Sequence, residues 1–408
     1  MALLLRKHLV IDFLNVFLER RDLAPLFKKV GNTLVNRTIF ERPLEYEGTP
    51  GEKTLLIFDV PSYLKATPGL GSDTKTYIAN AYKGSTIHLA NYLDLEDYLK
   101  KRFSAKRRAQ LASYERRIQT SFNITGRFFY GPMEKETFER LFDAFYNMLD
   151  RRFQEKATQN EDIPHWDKYR EMAYPLIQDK KACLSVIYDD QRPISMSLNL
   201  IHDKIIFGYM KSHDTDYSKF SLGFLDLKNM LQWCFDNGFE VFDFLKGEYS
   251  YKSKWTDGEY YFQRYIVCPS ASLSKRLYAR VLYLKIRGFY SLVRFLKRIK
   301  VHLIYHRYKA LKYRLTHNST TAYDNSVQVA VAKEVPPPES RITVPWERQE
   351  FSFLRKPVYD FLYTYKEHRR HIEVIRTPNV DNSYLVLGKN GAQRLTFDRA
   401  FITKQKNG

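Results

Sequence analysis

Between Ala182 and Cys268 the hydrophobic period changes in an order that few folds accept. Ala182 to Tyr188, Ile194 to Ile201 and Lys204 to Lys211 read as short strands, separated by Asp189-Asp190-Gln191-Arg192-Pro193 and by His202-Asp203, which predicts a three-stranded meander. Ser221 to Asn237 then repeats at helical spacing and stops at Asn237-Gly238. A strand-like run, Phe239 to Leu245, ends at Gly247, and Glu248, Tyr251, Lys252 and Trp255 follow at once. Tyr260 to Cys268 reads as the last strand. Meander, helix, strand, short helix, strand is the pattern of an α/β unit, and such units offer reactive side chains at the carboxyl ends of their strands.

The 408-residue chain exceeds one ordinary domain, and 44% hydrophobic with 15% aromatic residues excludes general disorder. Thr54 to Val60 is the clearest strand of the first 90 residues. Thr67-Pro68-Gly69-Leu70-Gly71-Ser72 lacks the Gly-Lys-Ser/Thr ending of a phosphate loop and reads as a turn. Helical spacing begins after Asp94, with Ser104 placed to cap a helix that opens Ala105-Lys106-Arg107-Arg108. Met133 to Phe153 carries Phe138, Leu141, Phe142, Phe145, Tyr146 and Leu149 on one face, a core-packing stripe.

The net charge of +20 is unevenly placed: no acidic residue falls between Glu259 and Asp324, where fourteen Lys and Arg residues lie. Leu273, Leu277, Val281 and Leu284, then Leu292, Val293, Leu296, Ile299, Leu303 and Ile304, recur there at helical spacing, which predicts two basic amphipathic helices broken at Gly288. Such helices lie on an anionic membrane, bind nucleic acid, or pack one face on their own protein. Cys183, Cys234 and Cys268 stand apart in apolar contexts, so neither a disulfide framework nor a cysteine metal site is expected. No run reaches the length of a membrane span and the first residues do not form a signal peptide, so a cytoplasmic, membrane-peripheral location is expected.

Asp243-Phe244-Leu245-Lys246-Gly247-Glu248 followed by Tyr251-Lys252 and Trp255 resembles the GNAT N-acyltransferases. So do the helix entry Tyr217-Ser218-Lys219-Phe220-Ser221-Leu222-Gly223 and the upstream Ser104-Ala105-Lys106-Arg107-Arg108. The likeness is to the subfamily typified by cellulose-biosynthesis-type acetyltransferases, related to the tandem Fem peptidyltransferases, and spans roughly residues 90–300. It implies a mixed α/β fold of tandem GNAT-like sheets flanked by helices: an N-terminal half over 1–150, a GNAT core over 165–270, basic helices over 271–317, a linker over 318–340 and a small accessory domain over 341–408. It also implies acyl transfer from acyl-CoA, with no metal, to an amine or hydroxyl of a small-molecule or glycan-precursor acceptor.

The residues that carry the chemistry follow from this pattern. Lys219, Ser221, Leu222 and Gly223 open a helix whose N–H groups favour phosphate oxygens, and Lys252 adds a cation. Of the usual pyrophosphate motif only Gly223 matches, with Ser218 and Ser221 at the other two positions, so aminoacyl-tRNA stays open as the donor. Glu248 or Asp243 would serve as base and Tyr251 as acid, with Asp243 facing opposite to Phe242 and Phe244. Gly247 permits the tight turn, and Arg107 and Arg108 would meet an anionic group. Residues 271–315 would meet an anionic membrane surface, and a non-catalytic adaptor that keeps the GNAT fold and docks there is the other alternative to a transferase. His202 and His213 have no catalytic partner at recognisable spacing and read as structural.

Overall fold

The computed structural model describes residues 8–42, 54–69, 73–156, 160, 162–247, 252–299, 327–332, 334–377 and 382–398. A nine-stranded mixed sheet runs through the molecule. Its order is β1 (His8–Asp12), β4 (Thr54–Pro61), β12 (Gly258–Pro269), β6 (Thr74–His88), β11 (Val241–Lys246), β10 (Ile205–His213), β9 (Arg192–His202), β8 (Ala182–Asp189) and β7 (Ile124–Phe129). A three-stranded sheet orders β3 (Arg37–Glu41), β2 (Phe27–Asn32) and β5 (Leu64–Pro68). A five-stranded sheet orders β13 (Val327–Val331), β17 (Ala392–Phe397), β16 (Ser383–Leu387), β15 (Glu373–Arg376) and β14 (Ile342–Thr343). The helices are α1 (Leu95–Arg102), α2 (Ala105–Ser121), α3 (Lys135–Glu155), α4 (Trp166–Gln178), α5 (Leu222–Asp236), α6 (Lys252–Trp255), α7 (Leu273–Arg298) and α8 (Ser352–Tyr365). The fold is mixed α/β, with a large mixed sheet flanked by helices.

The expected order of meander, helix, strand, short helix and strand is β8, β9, β10, α5, β11, α6, β12. β12 then crosses away from the meander and inserts between β4 and β6, where Ile266 pairs with both Leu56 and Tyr77. Nearly every residue of β4 is buried, so the strand needs partners on both edges, and β1 alone would leave one edge open. β6 pairs in turn with β11, Ile87 opposite Phe242, which joins the N-terminal strands to the meander in one continuous sheet.

The two faces of the sheet bury different helices. Leu55, Ile57, Leu184, Val186, Leu198 and Phe207 face a core closed by α3, α4 and the three-stranded sheet, with Phe142, Phe145, Trp166 and Phe27 among its members. Ile87, Cys183, Ile206, Phe242 and Phe244 point the other way, onto α1, α2, α5 and α6 through Tyr98, Leu111, Leu227 and Trp255. On that same face α7 covers Leu56, Ile266 and Cys268 with Ala279, Leu282, Tyr283 and Ile286. Period-two alternation along each strand is what sends neighbours to opposite cores.

Two expectations are corrected here. Gly288 does not break the basic segment: Leu273–Arg298 is one 26-residue helix, because a single glycine costs only about 1 kcal/mol inside a helix of good formers. The second basic helix, from residue 300 on, lies outside the described residues. Val327–Val331, inside the expected linker, is β13 and pairs with β17. α8 begins at Ser352 and carries the buried Pro357 within it, whose ring forgoes one N–H bond. α8 docks the C-terminal sheet onto the main body, with the Tyr359 ring 4.8 Å from Phe122 and 4.6 Å from Tyr217. Arg369 adds an ion pair to the buried Asp189 at 2.8 Å.

Candidate active site

β10 and β11 run parallel but pair only at Ile205–Val241, Ile206–Phe242 and Phe207–Asp243. Beyond these residues β10 stays with β9 and bulges between Gly208 and Met210, while β11 shifts register against β6 between Asp243 and Lys246. Leu245 at φ 55° and Gly247 at φ 110° then turn the chain out of the sheet. Glycine suits the second angle because a side chain would clash there. The two strands therefore part at their carboxyl ends, and the helix that follows each one, α5 or α6, stands at the fork. The ring of Phe224 in the first turn of α5 lies 5.1 Å from Trp255 of α6, which ties the two helices together.

The first turn of α5 is anchored from beneath. Lys211 Nζ donates to the carbonyl of Gly223 at 2.8 Å and pairs at 2.6 Å with Asp226, a buried carboxylate that also accepts from Ser185 and Ser197. His213 lies beside Gly223, and burial lowers it to about 3, so it is neutral there. Ser221 makes no side-chain cap: its backbone is left-handed, at φ 57° and ψ 45°, where a capping residue is extended, and its carbonyl instead accepts from Phe224 N–H at 2.9 Å. Lys219 pairs with Asp360 of α8 at 3.3 Å, and Leu222 is buried in the core shared with α8. Docking of the C-terminal region, invisible in the local sequence, directs both.

Asp243 faces away from Phe242 and Phe244 as the alternation requires, and is completely buried. Its carboxylate accepts from Tyr63 Oη at 2.5 Å, Tyr260 Oη at 2.8 Å and the Leu245 N–H at 2.7 Å. Burial raises it to about 6, against the pull of these donors and of Lys252. Burial, and then the same carboxylate, raises both tyrosines well above their ordinary range. Asp243 thus ties β11 to β12 and to the turn between β4 and β5, and is wholly buried.

Lys252 is also buried. Its Nζ donates to the carbonyls of Phe244 and Lys246, each at 2.8 Å, tying the start of α6 to the end of β11, and burial lowers it to about 8. Lys246 pairs with the buried Asp59 of β4. α6 is held from outside by α1: Arg102 donates to the carbonyls of Lys254 at 3.0 Å and Ser253 at 2.8 Å, and Tyr98 Oη donates to Trp255 O. Glu248 and Tyr251 lie outside the described residues.

Ser104 caps α2, accepting from the Arg107 N–H. Arg107 turns to Gln110 at 2.5 Å, whereas Arg108 donates to Phe103 O at 2.7 Å and lines a groove of about 240 Å³ between α1, α2 and α5 with Lys100, Leu111, Phe224 and Lys228. Only Arg108 of the pair is thus brought to the first turn of α5. Among the described residues no cluster of His, Cys, Asp or Glu is placed to hold a metal ion.

Tyr63, Asp59, Arg102 and Tyr260 were not foreseen as parts of this site. The first three meet β11 or α6 across more than 150 residues, and no spacing in the sequence signals the contact. Tyr260 follows the turn closely, but its partner depends on β12 inserting beside β6.

The sequence of residues 105–253 matches the Acetyltransferase (GNAT) domain family. No curated protein matches the chain. Among solved structures it is similar to FemX, with 10% identity over 56% of this chain and 74% of that one and a TM-score of 0.39. L-PGS from Bacillus licheniformis is similar over 57% of this chain and 73% of that one, at 12% identity and a TM-score of 0.33. A tandem GNAT protein from the clavulanic acid biosynthesis pathway is similar over 54% and 65%, at 8% identity and a TM-score of 0.30. Identities and TM-scores at this level carry no substrate over to this chain. The stretch that matches the GNAT domain begins at the first residue of α2 and ends within α6, and so contains the fork between β10 and β11 and the whole of α5.

Proposed function

We propose that this protein is an acyltransferase that moves an acyl group from acyl-CoA to an amine or hydroxyl acceptor, and that the donor enters the fork between β10 and β11. The observation that supports this reading is the parting of two parallel strands after Phe207 and Asp243, with the first turn of α5 at the opening. Strands that stop pairing expose backbone N–H and C=O groups, which suit an extended donor arm bearing amides. The helix N-terminus favours its phosphates, and the bulge after Gly208 supplies unpaired backbone beside the thioester carbonyl.

The reaction is direct attack. The acceptor nitrogen or oxygen bonds to the thioester carbon, the C–S bond breaks, the acceptor loses a proton and the departing CoA thiolate gains one. A covalent cysteine intermediate is disfavoured because Cys183, Cys234 and Cys268 are all buried, and burial raises each thiol above its ordinary range. Glu248 and Tyr251 are assigned as base and acid from the sequence, Lys252 ties the start of α6 to the end of β11, and Asp243 is a positioning residue in β11. The family resemblance favours a precursor of cell-surface polysaccharide as acceptor. Titration calorimetry with acetyl-CoA and longer acyl-CoAs tests the donor: micromolar to millimolar binding is expected, and no heat with any of them sinks the assignment.

One observation favours a second donor, aminoacyl-tRNA. Lys219, the cation expected beside the CoA pyrophosphate, is paired with Asp360, and only Gly223 of the usual motif is present. tRNA binding that weakens steeply with salt, together with silence toward acyl-CoA, would establish it.

A further inference from the structure

We infer that the outward face of α7 docks on an anionic lipid bilayer. α7 touches the sheet on one side only, through Ala279, Leu282, Tyr283 and Ile286, with Tyr290 against Tyr82. On the opposite side Leu273, Leu277, Val281, Leu284, Leu292, Phe295 and Ile299 are 43% to 71% exposed and follow one another along the helix at helical spacing. Gly288 falls in the middle of this stripe, and a Cβ there would meet nothing within 4 Å, so no packing need explains the glycine. An apolar row of this length on an exposed helix is far outside the scattered apolar residues normal for a protein surface.

The charges decide what covers it. At about 100° per residue, Arg276, Arg280, Arg287, Arg294 and Arg298 fall along one edge of the apolar stripe, between it and the sheet-facing side. No acidic residue lies between Glu259 and Asp324 to pair with them from within the segment. Two copies of α7 packed seam to seam would meet with cations and no anions at their flanks, which opposes self-association. A bilayer containing anionic lipid satisfies both features at once, taking the apolar row into its interface and the arginines at its headgroups. The helix, about 39 Å long at 1.5 Å per residue, would lie in the membrane plane. Among the described residues no helix is long and apolar enough to cross a membrane.

The test is co-sedimentation of the full chain with vesicles of phosphatidylcholine alone and of phosphatidylcholine containing phosphatidylglycerol, at rising salt. Binding to the anionic vesicles that fades with salt is expected, and Leu284→Glu with Leu292→Glu lowers it at least about tenfold. Arg280→Gln with Arg287→Gln, which leaves the apolar stripe intact, lowers it about fivefold per arginine and keeps the test open if the leucine variants misfold. Equal binding to both vesicle types, or none, overturns the inference. So does a dimer, seen by light scattering, that the leucine substitutions dissociate while vesicles go unbound.

Discussion

Asp243→Asn isolates the electrostatic strain held at the centre of the sheet. The carboxylate is fully buried, and burial raises it from an ordinary 3.8 to about 6, a difference worth about 3 kcal/mol. An acid raised in this way binds its proton more tightly in the folded state. Its contribution is therefore fully present below about pH 4 and is lost as the pH rises through about 6. Asparagine is close in shape and still accepts from one or both tyrosines, but it cannot ionise, so its contribution is flat across this window. The wild-type profile alone is not decisive. His202 and His213, lowered by burial to about 4 and about 3, act in the opposite sense, losing stability as the pH falls below 6.5. Both remain in the variant, so the difference between the two proteins removes them. Urea unfolding followed by circular dichroism at half-unit steps from pH 4 to pH 7.5 should show the variant gaining on the wild type by about 2–3 kcal/mol across the range, chiefly between pH 4 and 6. A difference that does not change with pH would refute the account of Asp243 as a buried, desolvated carboxylate.

Other substitutions probe the supports around it. Gly84→Ala would place a Cβ 2.2 Å from the Tyr260 ring; displacement of that ring from Asp243 should lower stability by about 1–3 kcal/mol, read from the urea midpoint. Lys252→Met removes the amine shared by the Phe244 and Lys246 carbonyls, and should cost about 1–3 kcal/mol and abolish acyl transfer measured by CoA release, while Gly84→Ala retains partial activity. Arg369→Ala strips the nearly inaccessible Asp189 of its cation; a loss of about 3 kcal/mol and faster proteolysis between α7 and β13 are expected, with an unchanged cleavage pattern counting against the docking role of this pair.

The meander, α5, β11, α6 and β12 were legible because each keeps its own hydrophobic period and ends at turn residues such as Asn237-Gly238 and Gly247. The cap at Ser104 was legible for the same local reason. Ser221 is the same residue type, yet the turn that enters α5 takes a left-handed residue there, set by how Tyr217 and Phe220 pack on α8. Lys219 and Leu222 likewise read as parts of a donor site and are engaged by α8, more than 130 residues later. Short exposed strands such as β13 carry too little periodicity to outvote the prolines that follow them.

Local order along residues 182–268 and the apolar, acid-free segment from Leu273 onward are properties of the sequence itself, because periodicity and charge need no partner to be read. Where β12 goes was decided by tertiary structure. It fills the open edge between β4 and β6, a choice made by hydrogen-bonding demand across some 200 residues of chain. That insertion brings Tyr260 and, through β4, Tyr63 onto Asp243, and converts an unremarkable strand aspartate into the buried keystone beneath the fork.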